Sequence, residues 1–306
     1  MAKVVVTGAT GTIGHALVGR LIEHDYEVLA LSRNPESARS RLPKEARLAA
    51  WSRPQQEPPP SQALAGADAV VHLLGEPVAQ RWTDAARRKI HDSRVLATRQ
   101  LVAGLRGLSA DQRPSVLISA SAAGYYGPRG DEPVDESSPP GQDFLAGVTA
   151  AWEQEATAAE ELMRVLVTRT GVVLSPSGGA LATMLPFFKL GLGGPVAGGR
   201  QYVPWIHLAD VVGAIIYCLE ARDASGPVNL TSPAPVRNRE FSHALGRAIG
   251  RPAILPVPAF GLRLLYGEMA TVVTTGQRVL PRALERLGYA FAHPDLEPAF
   301  RDVLGR

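Results

Sequence analysis

Cysteine is almost missing from this chain. Cys218 is the only one in 306 residues, so no internal disulfide can form and a zinc site would need other ligands. Cys218 lies in the apolar stretch "VVGAIIYCLEA", where a buried structural thiol is expected. The seven histidines show no metal-ligand spacing, and no metal is expected. Long apolar runs are missing too: none reaches the roughly 18 residues that span a bilayer. The apolar start runs as a strand straight into a glycine loop, unlike a signal peptide. A cytoplasmic protein with no membrane partner is the expectation. Charge of one sign is also short. The net charge is only +3, and the lysines and arginines are scattered, without basic blocks or aromatic interleaving. That pattern speaks against a nucleic-acid partner.

What is present is an ordinary globular balance, 45% hydrophobic and 20% charged residues, able to fill a sizeable core. Strand-like and helix-like segments alternate through the first half. "KVVVTG" precedes a helix over 12–24 with Ile13, Leu17 and Leu21 on one face. "YEVLALSRN" (26–34), "ADAVVHLLG" (67–75), "SVLISASA" (115–122) and "RVLVTRTGVVL" (164–174) read as further strands. The proline-rich residues 53–62 form an exposed connection. Helices are expected over 83–105 and 148–163. Alternation of this kind predicts an α/β fold, a Rossmann-type doubly wound parallel sheet with a small, mostly helical C-terminal lobe. The expected dinucleotide domain covers 1–174, with 202–232 returning to it. The returning segment carries a helix over 207–221 and a strand at 227–232, and the lobe takes 175–201 and 233–306, with helices over 238–250 and 258–286.

"VVVTGATGTIG" carries the strongest signal. Gly8, Gly11 and Gly14 follow a strand and open an amphipathic helix at the start of a βαβ unit. Glycines there permit the tight turn and let backbone approach a pyrophosphate at the positive helix end. Thr10, Thr12 and Ile13 belong to the same loop, and Leu74 and Gly75 of "HLLGEP" are expected against the adenosine side. The second strand ends in Ser32 and Arg33, with no acidic residue for a ribose 2′-hydroxyl. A guanidinium pairs with a 2′-phosphate, so NADP(H) is predicted over NAD(H).

With "VTGATGTIG", "AVVHLLGEPVAQRWT", "RKIHDSRVLATR", "LISASAAGYYGPRGD", "FLAGVTAAWE", "RTGVVLSPSGGAL", "GGRQYVPWIHLAD" and "GQRVLPRALERLGYAF", the chain resembles an atypical extended short-chain dehydrogenase/reductase of the "epimerase family protein" subgroup. The resemblance spans nearly the whole chain. It implies NADP(H) and either oxidoreductase or nucleotide-sugar epimerase-like chemistry. The ordinary family works through a Tyr-x-x-x-Lys pair, one helical turn apart. Here alignment on "AAWEQEA" puts Leu145 and Thr149 at those positions, so the pair is absent.

Ser121 is the expected substrate-binding serine, with Ser119 close behind at the cofactor. Tyr125 and Tyr126 are the nearby phenols, either proton donors or loop packing. Glu153 is expected to fix helix packing. Arg94 is either a cofactor contact or a helix-surface salt bridge. His207 and Arg200 are expected at the substrate. Two function classes stand open: an enzyme acting on a nucleotide-sugar or carbonyl compound with a non-standard proton donor, or an NADPH-binding sensor with little turnover. A homodimer through helices 83–105 and 148–163 is expected from the resemblance.

Overall fold

The computed structural model describes residues 1–305. The chain runs β1 (Lys3–Thr7), α1 (Thr12–Glu23), β2 (Glu27–Ser32), α2 (Pro35–Arg39), β3 (Arg47–Ala50), α3 (Ser61–Leu64), β4 (Ala69–His72), α4 (Asp84–Asp92), α5 (Val95–Arg106) and β5 (Val116–Ala122). It continues through β6 (Pro133–Val134), α6 (Phe144–Thr157), β7 (Arg164–Thr170), β8 (Val172–Leu174), α7 (Gly179–Lys189), β9 (Tyr202–Val203), β10 (Trp205–His207), α8 (Leu208–Glu220) and β11 (Gly226–Leu230). The C-terminal part adds β12 (Val236–Arg237), α9 (Asn238–Ile249), α10 (Ala259–Tyr266), α11 (Thr271–Thr274), β13 (Arg278–Val279), α12 (Arg282–Leu287) and α13 (Leu296–Val303).

Seven strands form one parallel sheet in the order β11-β7-β5-β4-β1-β2-β3. From β1 the chain first builds outward through β2 and β3, then reverses and builds the other way from β4. The crevice between β1 and β4 is therefore the switch point where such sheets hold ligands. Successive side chains of a strand face opposite sides, and here both sides are covered. Val4 and Val6 pack with Leu17, Leu21 and Ile215 on one side, and Val5 with Leu101 and Leu105 on the other. A third cluster joins Leu181, Phe188, Trp205, Phe241 and Phe300.

Four expectations change, each for a local reason. Helix 83–105 is two helices, α4 and α5, broken at Ser93 and Arg94, where the Ser93 hydroxyl accepts the Glu76 N–H at 2.9 Å. The run 164–174 is two strands, because Gly171 lets the Pro204 carbonyl approach to where a Cβ would be 2.1 Å away. There β8 leaves the main sheet and pairs with β10. Residues 258–286 are not one helix. Positive φ at Gly267 and close approach at Gly276 break them, and β13 pairs with β6 instead. Strand β3 escapes detection because it is a four-residue edge strand with no fully buried side chain. In addition, α6 starts earlier than expected, at Phe144, capped by the Asp143 carboxylate, which accepts the Ala146 N–H at 2.8 Å.

Candidate functional site

The glycine loop lies at the carboxyl end of β1, at the switch point. Gly8 has φ +67°, and a Cβ there would sit 2.5 Å from the Leu73 carbonyl oxygen. A Cβ on Gly14 would sit 2.3 Å from the Gly8 carbonyl oxygen, so the first turn of α1 presses directly on the loop. Gly11 is less confined, with 3.3 Å to the same oxygen, and its N–H donates to it at 3.0 Å. Gly11 is the N-cap of α1 and offers no side-chain cap. The first N–H groups of α1 are thus left for an anion at the positive helix end. Thr12 reaches across to the chain at Gly178, where a Cβ would meet its hydroxyl at 2.1 Å. Ile13 packs on the sheet core. Such a turn suits a pyrophosphate, and a side chain at Gly8 or Gly14 would collide with the backbone that shapes it.

At the end of β2, the Ser32 hydroxyl donates to the Asn34 carbonyl at 3.1 Å, and Arg33 is exposed. Arg41 was missed by sequence reasoning. Its guanidinium donates to the Thr10 carbonyl at 2.7 Å and so fastens the glycine loop from 31 residues away. No local spacing signals such a contact. Leu74 and Gly75 follow β4, and a Cβ on Gly75 would lie 3.0 Å from the Arg94 guanidinium. Arg94 is not a surface salt bridge. It sits between α4 and α5, donates to the Ile90 carbonyl at 3.1 Å and lies 5.3 Å from the Trp152 ring centre. Burial lowers its pKa to about 10.

The carboxyl end of β5 holds a buried polar network. The Arg169 guanidinium pairs with both Glu153 oxygens, at 2.9 and 2.8 Å. The Ser121 hydroxyl donates to the same Glu153 carboxylate. Arg169 also donates to the Tyr126 hydroxyl at 3.0 Å, and that hydroxyl donates to Asn229 Oδ1 at 2.7 Å. Glu136 accepts the Asn229 and Ala283 N–H groups at 3.0 and 3.1 Å. Tyr126 has no exposed surface, and burial pushes its pKa up to about 12. The structure thus joins Ser121 and Tyr126 but commits both hydroxyls internally. Tyr126 has no spare proton for a substrate. Ser119 is fully buried, with its hydroxyl on the Ala120 carbonyl at 3.3 Å. Tyr125 differs. It is half-buried, its ring lies 3.5 Å from the Arg169 guanidinium carbon, and its hydroxyl has no hydrogen-bond partner among the described residues. Leu145 packs 3.6 Å from the position a Gly124 Cβ would take, beside Tyr125. Thr149 is buried and donates to the Leu145 carbonyl at 2.6 Å.

His207 and Arg200 do not join this cluster. Arg200 is exposed, and its carbonyl accepts from Arg237 at 2.5 Å. His207 caps α8 through Nδ1, which accepts the Ala209 N–H at 3.1 Å. Its ring stacks on His293 with centroids 3.8 Å apart, and Nε2 lies 3.1 Å from Asp302. Sequence spacing could not foresee that these three residues meet, each donor atom within 4.8 Å of the others. A neutral ring whose Nδ1 accepts carries its proton on Nε2, so His207 aims an N–H, not a lone pair, at this cluster. Burial and the neighbouring His293 lower its pKa, which keeps it neutral.

A parallel sheet with a glycine cradle at its switch point and a serine-bearing β5 beside α6 defines a dinucleotide-binding fold of the short-chain dehydrogenase/reductase kind. Comparison with known proteins is more specific. Residues 4–230 match the NAD dependent epimerase/dehydratase family, and the chain belongs to it. Residues 257–303 match a domain of unknown function. The chain is 40% identical to the Arabidopsis thaliana "Epimerase family protein SDR39U1 homolog, chloroplastic", over 98% of this chain and 86% of that protein. It is 42% identical to the Mycobacterium tuberculosis "Epimerase family protein MT2273", over 95% and 94%. The crystal structure of human epimerase family protein SDR39U1 (isoform 2) with NADPH superimposes with a TM-score of 0.89 at 32% identity, covering 99% of each chain.

Proposed function

We propose that this chain is an NADP(H)-dependent oxidoreductase or epimerase-like enzyme that has replaced the Tyr/Lys pair. The observation that carries it is the glycine cradle at the switch point, closed by backbone at Gly8 and Gly14 and followed by an uncapped helix. The NADPH in the human relative supports the choice of cofactor. So does the end of β2, where Arg33 is exposed and no carboxylate stands to repel a 2′-phosphate. Gly8, Thr10, Gly11, Thr12, Ile13 and Gly14 would hold the pyrophosphate, Ser32 and Arg33 the 2′-phosphate, and Leu74 and Gly75 the adenosine side. When bound, the cofactor supplies or takes a hydride.

The chain's own task is then to move a proton on the substrate oxygen. Tyr125 is the phenol available for it, held by Arg169 and free at its hydroxyl. Ser121, Glu153 and Tyr126 position that arginine. The substrate is a small carbonyl compound or nucleotide-sugar in a cleft between the sheet's carboxyl edge and the C-terminal lobe. The division into 1–174 with 202–232, and 175–201 with 233–306, stays part of this proposal, although Ala283 and Leu284 pack into the sheet core and Leu174 and Trp205 into the C-terminal cluster. A cytoplasmic location and a homodimer through α4, α5 and α6 complete this reading. No described helix is long and apolar enough to cross a membrane.

The test is titration of NADPH and NADH by fluorescence, then turnover with carbonyl compounds and product analysis with nucleotide-sugars. Tyr125→Phe is expected to keep NADPH affinity and lose about 10²–10⁴ in rate, the usual worth of a positioned acid/base. Full turnover in that variant would remove Tyr125 from the mechanism. The alternative, an NADPH-binding sensor, draws on Leu145 and Thr149, neither of which can titrate. Tight NADPH binding with no product from either substrate class would favour it.

A further inference from the structure

Apart from Met1, the exposed large apolar side chains gather in the C-terminal half: Phe187, Leu190, Leu192, Ile254, Leu255, Phe260, Leu264, Leu265, Val272 and Val273. They come from three segments that touch. Val196 bridges to Val257, and the Val257 N–H donates to the Pro195 carbonyl at 2.9 Å. The Gln201 amide spans the Val196 and Val273 carbonyls, at 3.1 and 2.8 Å. Helix α10 buries none of its residues; Phe260 and Leu264, one turn apart, are 75% and 77% exposed. A contiguous apolar face of this size is unusual for a surface that meets only water.

The charges on these segments that are not in ion pairs have one sign. Lys189, Arg251 and Arg263 are exposed, and none is in an ion pair among the described residues. The single acid, Glu268, is already paired with Arg87. We propose that this face docks on an anionic lipid surface, with α10 lying in the headgroup plane and the three cations on the headgroups. A second copy is a poorer occupant, since a two-fold contact would set the same cations against themselves. A protein partner would need a fitted pocket for each knob, whereas hydrocarbon accepts them in any arrangement.

The test is co-sedimentation of the full chain with vesicles of phosphatidylglycerol and phosphatidylcholine, against phosphatidylcholine alone, at low and high salt. Binding is expected only with the anionic vesicles and is expected to weaken with salt. The double variant F260E/L264E is expected to lower it by at least about tenfold, from lost apolar burial. K189E/R263E is expected to lower it by about 25-fold or more, at roughly fivefold for each of the two cations before the reversed charge is counted. Melting temperature checks that each variant is folded, and both pairs are exposed enough to be tolerated. Absence of binding to anionic vesicles overturns the proposal, as does binding that F260E/L264E leaves unchanged. A dimer by light scattering that the same variant dissociates would also overturn it, in favour of a second copy.

Discussion

The glycine loop and the β5–α6 end stand at the same carboxyl edge of the sheet but are built by opposite means. The loop is held by backbone. Gly8 and Gly14 are demanded by carbonyl groups 2.5 and 2.3 Å from where a Cβ would be. The β5–α6 end is held by side chains: one arginine, two carboxylates, a phenol, an amide and a serine, joined across up to 147 residues of sequence. A backbone device constrains residue type at fixed short spacing. A side-chain network can exchange its members while keeping its shape. On the reading proposed above, this contrast would let a chain keep a nucleotide cradle while the residues at Leu145 and Thr149 change.

The widest break in that comparison would come from Arg169. Arg169→Ala leaves Glu153 buried and unpaired, and about 3–5 kcal/mol of stability should go with it. The measurement is urea unfolding. The double variant E153L/R169M removes both charges and should recover most of that loss, since buried ion pairs are often matched by apolar packing. If Arg169→Ala costs no more than a surface substitution, the network does not hold this end together. On the other side, Gly14→Ala drives a methyl into the Gly8 carbonyl. About 1–3 kcal/mol of stability should be lost to overpacking. NADPH affinity, read by fluorescence titration, should fall at least tenfold, with Tyr125 and Arg169 untouched. An unaffected NADPH affinity would mean that the cradle does not hold the cofactor.

A smaller effect tests the selectivity assigned to β2. Arg33→Ala should weaken NADPH by about 1.5–3 kcal/mol, the scale of a charged hydrogen bond, and leave NADH unchanged. Equal losses for both would move the 2′-phosphate contact elsewhere, with Arg41 the neighbouring guanidinium to examine. The same residues show what sequence can and cannot disclose. Gly8, Gly11 and Gly14 are legible because strand, turn and helix impose them locally. The parallel, doubly wound character of the sheet is legible from alternation, but its strand order is not, and β3 is not legible at all. Arg41 on Thr10, Glu136 on Asn229 and His293 on His207 are not, because each contact joins segments that only the fold brings together. Tyr125 and Tyr126 are adjacent in sequence yet differ in role, since one hydroxyl is enclosed and its neighbour is not. No pattern of residue types separates them.

His72 links the two regions and gives the gentlest test. It ends β4, fully buried, with Nδ1 2.8 Å from the Thr7 hydroxyl and Nε2 3.0 Å from the Thr98 hydroxyl. The Thr7 hydroxyl also accepts the Leu73 N–H at 3.1 Å, and the neutral ring donates through one nitrogen and accepts through the other, so it ties β1 to α5 in either tautomer. Thr7 adjoins the glycine loop, and α5 packs against α6. Burial lowers the His72 pKa from 6.5 to about 3. The folded value lies below the unfolded one, so its contribution to stability is complete above 6.5 and is lost progressively as pH falls toward 3. Within that window the slope is about 1.4 kcal/mol per pH unit. His207, also lowered, acts with the same sign. Urea midpoints at pH 6 and pH 5 avoid most carboxylate titration and should fall with acid at that slope. His72→Gln should be less stable at pH 7 and show a flatter slope. A slope unchanged in that variant would mean that acid enters through another group, and that the loop and the network are not coupled at His72.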